Sequence, residues 1–180
     1  MPKVPDVVKD AIKQLSKAEL EKLVLKAAVK HKSFNDFLLV NYAPEGMGEE
    51  DLYEQAVEKI DMCYSKNYLG RSYEKKQNRR LMAQVAIIAA FDKHCKQKHY
   101  TLLLLLSLVK TQLGDKAITF GTWYQAYDNK IASLIKRINL IATKKLHPDL
   151  LRDYKADINW CISELKQRAP RVSGDLEEIR

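Results

Sequence analysis

The chain has 180 residues, of which 46% are apolar and 30% charged, and 31 Lys and Arg against 23 Asp and Glu leave a formal charge of +8. This composition excludes a disordered chain, and the length suits one domain that buries about 70% of its unfolded surface without a disulfide or metal staple. The longest apolar run, Leu102 to Leu106 with Leu108 and Val109, is far short of the roughly 20 residues that span a bilayer, which excludes a membrane segment.

In chain order, Pro5 and Asp6 open a short helix with Val7, Val8, Ile12 and Leu15 inward. Ser16 followed by Glu19 is a capping box, in which each side chain satisfies the other residue's free backbone N–H. The helix behind it carries Leu20, Leu23, Val24, Ala27 and Ala28 on one face, and Ser33 is positioned to cap another containing Phe34, Phe37 and Leu38. Pro44, Gly46 and Gly48 break the chain into a loop over 42–48. Glu49, Glu50 and Asp51 then start a helix where negative charge suits the dipole, with Leu52, Ala56, Ile60 and Cys63 as its stripe.

After Gly70, one long helix is expected from Ser72 to about Lys98. It is polar at first and apolar nearly all round from Leu81 to Phe91, the pattern of a helix covered on several sides. The helix of Leu102 to Val109 has the same character and should end at Gly114. Phe120, Tyr124, Tyr127, Ile131, Leu134, Ile138 and Ile141 then alternate spacings of four and three, which predicts one apolar stripe along a helix from about Thr119 to Lys145. His147-Pro148-Asp149 opens the last helix, with Leu151, Tyr154, Ile158, Cys161 and Leu165 as a matching stripe, and Pro170 stops it.

No alternation of strand type competes with these stripes. The expected fold is all-α, a single domain over 1–170 built as a stack of antiparallel helices, either a closed bundle or HEAT- or TPR-like α-α hairpins. The last two helices should pair knobs-into-holes. Residues 171–180 read as a polar, flexible tail. The 120–141 stripe, left exposed, would instead pair two copies of the chain.

The chemistry-bearing residues are sparse. Asp92, Cys95 and His99 share one helical face and stand beside His94, but Lys93, Lys96 and Lys98 crowd them, so neither metal nor cofactor is expected. Cys63, Cys95 and Cys161, odd in number and widely spaced, read as buried thiols in a reducing compartment. There is no phosphate-cradling glycine loop, nucleophile elbow or HExxH, and the pairs Glu49/Glu50 and Glu177/Glu178 read as solvated helix-end charges. No catalytic residue is assigned. Arg71, Lys75, Lys76, Arg79 and Arg80, interleaved with Tyr68 and Tyr73, form a candidate patch for an anion or nucleic acid, with Lys136, Arg137, Lys144 and Lys145 as a second basic group. Trp123 and Tyr124 form a candidate partner-binding edge.

The phrase from Leu15 to Leu20, then Phe34 and Phe37, then Glu49-Glu50 leading to Lys59-Ile60 and Tyr64, and the alanine-rich stretch from Arg79 to Ala90 resemble a bacterial family of unknown function, DUF6155. The resemblance implies an all-helical bacterial cytoplasmic protein and transfers no active site. The expectation is a non-enzymatic, cytoplasmic module that binds another protein. The alternative is a basic helical protein associated with nucleic acid.

Overall fold

The computed structural model describes residues 4–42, 47–69 and 72–179. Those residues form eight helices and no strand: α1 (Asp6–Lys13), α2 (Lys17–Lys30), α3 (Lys32–Tyr42), α4 (Met47–Ser65), α5 (Tyr73–Asp92), α6 (Lys98–Gly114), α7 (Ala126–Lys145) and α8 (Pro148–Arg168). The all-α expectation holds. The helices fall into two compact units, Met1–Gly48 and Glu49–Arg180, where length had suggested one domain. Among the described residues no helix is long and apolar enough to cross a membrane.

In the first unit the capping box is right, while the Ser33 cap and the burial are not. The Ser16 capping box forms in both directions, with Glu19 N–H donating to Ser16 Oγ and Ser16 N–H donating to Glu19 Oε2 at 2.8 Å. These bonds hold the Glu19 carboxyl below its ordinary pKa. α3 starts at Lys32, so Ser33 lies inside the helix and does not cap it. The Phe34 and Phe37 rings stack at 6.4 Å, and α2 packs on α3. Yet no residue of α1, α2 or α3 is buried. Val7, Val8 and Ile12, expected inward, are exposed, because three short helices enclose too little volume to cover them.

The second unit has a true core. α6 lies at its centre, against α5, α7 and α8, and buries Leu102, Leu104, Leu105, Leu106, Leu108, Val109 and Leu113. α5 is covered on one face only. Leu81, Val85, Ile88 and Phe91 are buried while Met82 is half exposed, so the all-round burial expected for this helix is corrected to a stripe. α5 also stops at Asp92, short of the expected Lys98. The α7 stripe is fully used: Tyr127, Ile131, Leu134, Ile138 and Ile141 are all buried, which leaves them no surface for pairing two chains.

Two corrections come from the ends of the last helices. α7 begins at Ala126, so Phe120, Trp123 and Tyr124 sit in a loop and not on the heptad helix. The loop turns at Gly121, whose φ of 72° most side chains avoid. α8 begins as expected, with Pro148 in its first turn and the His147 side chain accepting from Asp149 N–H. Beyond it, the stretch expected to be a loose tail is held in place. Leu176 and Ser173 are buried, and Asn159 bonds Ile179 twice, through Nδ2 to the carbonyl (3.1 Å) and Oδ1 from the N–H (2.9 Å).

Candidate functional site

The candidate basic patch lies where α4 ends and α5 begins. Ser72 caps α5 by accepting from Lys75 N–H, which sets the first turns of the helix. Tyr73, Lys76, Gln77 and Arg80 then share one face at spacings of three, one and three. Arg71 lies outside the described residues. The other four cations do not form one surface. Arg79 turns back to donate to the Leu69 carbonyl, and the Arg80 guanidinium stacks over the Tyr64 ring at 4.9 Å. Lys75 and Lys76 are exposed.

Behind Arg80 runs a polar network that the apolar stripes conceal. Tyr127 Oη donates to Gln112 Oε1 at 2.8 Å, and Gln112 Nε2 donates to Tyr64 Oη at 2.8 Å. Burial holds the Tyr127 phenol well above its ordinary pKa, so it is a donor throughout the physiological range. Tyr68 is pushed up to about 12, by burial first and then by the neighbouring Cys63 thiol. Gln77 occupies a core position of the α5 stripe and is 4% exposed. A cavity of about 130 Å³ opens among Lys66, Tyr68, Tyr73, Lys76, Gln77 and Arg80. Gln77 was the visible signal: a polar side chain standing in register with Leu81, Gln84, Ile88 and Phe91.

The candidate partner edge divides. Trp123 is 93% exposed, with the Arg171 guanidinium 5.7 Å from its ring, whereas Tyr124 is half-buried and accepts from Asn78 Nδ2 at 3.4 Å. The loop that carries them is clamped by Arg168. Its guanidinium donates to the Leu113, Asp115 and Ile118 carbonyls and lies over the Phe120 ring at 4.4 Å. From α7, the buried Asp128 accepts Gly121 N–H at 2.9 Å. Burial raises the Asp128 pKa, against the opposing effects of this bond and of the Arg168 charge. A cavity of about 230 Å³ lies here, but Asp128 and Arg168 in its wall are already spent on the loop, and Arg171, also in the wall, faces the Trp123 ring.

Of the residues weighed as metal ligands, Asp92, Cys95 and His99 are engaged elsewhere. Asp92 Oδ1 accepts from Lys98 Nζ and Thr101 Oγ1, both at 2.8 Å, and Oδ2 pairs with Arg137 at 2.9 Å. Burial alone would raise the Asp92 pKa, yet these bonds and charges outweigh it and hold the carboxyl below its ordinary value. Cys95 donates to the Gln97 carbonyl at 3.0 Å, and burial first, then the Glu49 charge, pushes its thiol up to about 11. His99 Nε2 meets Tyr154 Oη at 2.6 Å. Among the described residues no three His, Cys, Asp or Glu side chains gather as ligands would. Glu49, read as a solvated charge, is instead buried and accepts from the N–H groups of Lys96 and Gln97 at 2.8 and 3.3 Å. It ties the start of α4 to the turn before α6. In the second basic group Arg137 is the partner of Asp92, and Lys136 reaches Asp175 at 3.5 Å. No family model, curated protein or solved structure matches the chain.

Proposed function

We propose that the chain is a non-enzymatic, cytoplasmic protein-interaction module and that its first three helices are the docking elements. One observation carries this reading: no residue of α1–α3 is buried, while Val7, Leu25 and Val29 are 81%, 67% and 88% exposed. Apolar groups displayed together at this level are the usual mark of a protein contact. A groove of about 420 Å³ on α2, lined by Leu20, Val24 and Leu25 between Lys17 and Glu21, offers a seat for an apolar anchor with charge at its rim. The Trp123 edge is a second exposed site, with an aromatic of the kind that anchors partners. Thiols pushed up to about 11 at Cys95 and about 12 at Cys161 weigh against a cysteine nucleophile at those positions. Membership of the bacterial DUF6155 family belongs to the same proposal.

A photo-reactive residue placed at Leu25 or Val29 in the native host tests the reading. One protein should cross-link at both positions and not at the exposed control position Lys145. With the photo-reactive residue at Val29, Leu25→Lys should abolish the adduct and leave the melting temperature unchanged. Equal labelling at all three positions overturns it. The nucleic-acid alternative draws less support, because Arg79 and Arg80 are committed to Leu69 and Tyr64. Binding to DNA is expected to fall with salt on a log–log slope no steeper than about −2, the contribution of Lys75 and Lys76 alone. A slope near −5 at sub-micromolar affinity would promote that alternative.

A further inference from the structure

A side-chain amide has a donor edge and an acceptor edge, so it can pair with the carbonyl and the N–H of one backbone residue, as a neighbouring β-strand does. Asn159 of α8 pairs with Ile179 in this way. Its Nδ2 donates to the carbonyl at 3.1 Å and its Oδ1 accepts the N–H at 2.9 Å. From α7, Asn139 Nδ2 donates to the Glu177 carbonyl at 3.3 Å. Two asparagines on two packed helices therefore hold alternate residues of one segment by its backbone. Residues 176–179 form neither helix nor turn. The chain leaves α8 at Arg168 and Ile179 has returned to Asn159, so the segment runs antiparallel to α8.

This is how a bound peptide is held: main-chain hydrogen bonds give affinity and an anchored side chain gives specificity. Of residues 175–179 only Leu176 is buried, while Asp175, Glu177 and Glu178 are exposed. The hold is incomplete. Asn139 Oδ1 is buried without a hydrogen-bond partner, so the segment satisfies one edge of that amide only. Asp175 meets Lys136 at 3.5 Å with its side chain 90% exposed, a pairing worth little in water. Lys155 stands one turn from Asn159 on the same side of α8 and makes no ion pair among the described residues.

We propose that the groove between α7 and α8 is a peptide-binding site, filled in cis by residues 175–179 and open in trans to an acidic segment of another protein with a leucine anchor. Asn139 and Asn159 read the backbone, the place of Leu176 takes the anchor, and Lys136 and Lys155 favour carboxylates beside it. A tethered segment competes at an effective concentration in the millimolar range, so the groove is largely closed until the segment is released. This site is independent of the docking face on α1–α3, and either can fail without the other.

The test is fluorescence anisotropy of a labelled peptide with the sequence of residues 173–179, titrated with the full chain. Leu176→Asp should release the segment and open the groove. That chain should bind the peptide with a dissociation constant of about 100 µM or tighter, and the wild-type chain at least about tenfold more weakly. Adding Asn159→Ala to Leu176→Asp removes both backbone bonds and should weaken binding by about tenfold. In the wild-type chain, unlabelled peptide at millimolar concentration should shift the NMR signal of the Ile179 amide toward that of a free segment. Equal affinity of the wild-type and Leu176→Asp chains, no binding to Leu176→Asp, or indifference to Asn159→Ala would each overturn the proposal. Loss of helical dichroism in Leu176→Asp would overturn it too, because the segment would then be part of the core and not a ligand on it. So would a wild-type dimer that Leu176→Asp returns to a monomer, which would give the groove to a second copy of the chain.

Discussion

Two aspartates of the second unit, Asp92 half-buried and Asp128 buried, make opposite contributions to stability, and the difference is set by their partners. Asp92 has a depressed folded pKa, so its contribution is complete above the ordinary value of 3.8 and is lost as pH falls through the folded value. Asp128 has a raised folded pKa, so its contribution is present below 3.8 and is lost as pH rises through the raised value, leaving a cost at neutral pH. Asp92→Asn should therefore cost about 1 kcal/mol at neutral pH, after discount for its partial exposure, and the deficit should shrink in acid. Asp128→Asn keeps an oxygen for Gly121 N–H and should be neutral or stabilising at neutral pH. Urea unfolding between pH ~3 and ~7 separates the two. Gly121→Ala is expected to cost about 1–3 kcal/mol, since the new Cβ would meet the Arg168 carbonyl at 2.8 Å and the φ of 72° is unfavourable in itself. A melting temperature equal to that of the parent would show that the loop relaxes freely.

At the level of the helix, burial of the α7 stripe predicts that Ile131→Ala costs about 2–4 kcal/mol through the cavity it leaves, measurable by chemical denaturation. A loss below about half a kilocalorie would contradict full burial. This stripe was legible because spacings of three and four require nothing outside the helix. The same rhythm misled at its start. Phe120 and Tyr124 continue the register, but Gly121 interrupts the backbone between them, and that glycine was the available warning. The end of α5 carried no such warning. Neither proline nor glycine stands near Lys93, and the turn before α6 is held by Glu49, a residue 47 positions away from Lys96. Contacts at that separation leave no local trace. The candidate site was legible in part. Lys76 and Arg80 were named from charge alone, whereas the cavity they line depends on Tyr68 and Gln77 folding back beneath them. The inward turn of Arg79 depends on the position of the Leu69 carbonyl and is invisible in a composition.

Across the whole molecule the two units should differ in how readily they open. With nothing buried in α1–α3 and nine residues buried along α6, hydrogen exchange should be fast in the former and limited by global unfolding in the latter. Equal protection in α2 and α6 would refute this. The buried Gln77, Gln84 and Gln112 add specificity to the second unit, since sliding α5 or α6 by a turn would strand their amides among leucines. The placement of the indole rings has an optical consequence. The chain has two tryptophans, and Trp123 and Trp160 are 93% and 41% exposed in the native fold. Their emission should already lie close to that of indole in water, so denaturation will shift its wavelength little. The near-ultraviolet dichroism will report the core through Tyr127 instead. The same arrangement makes Trp123 a built-in fluorophore: a blue shift on mixing with another protein would record that ring leaving water, with no label attached.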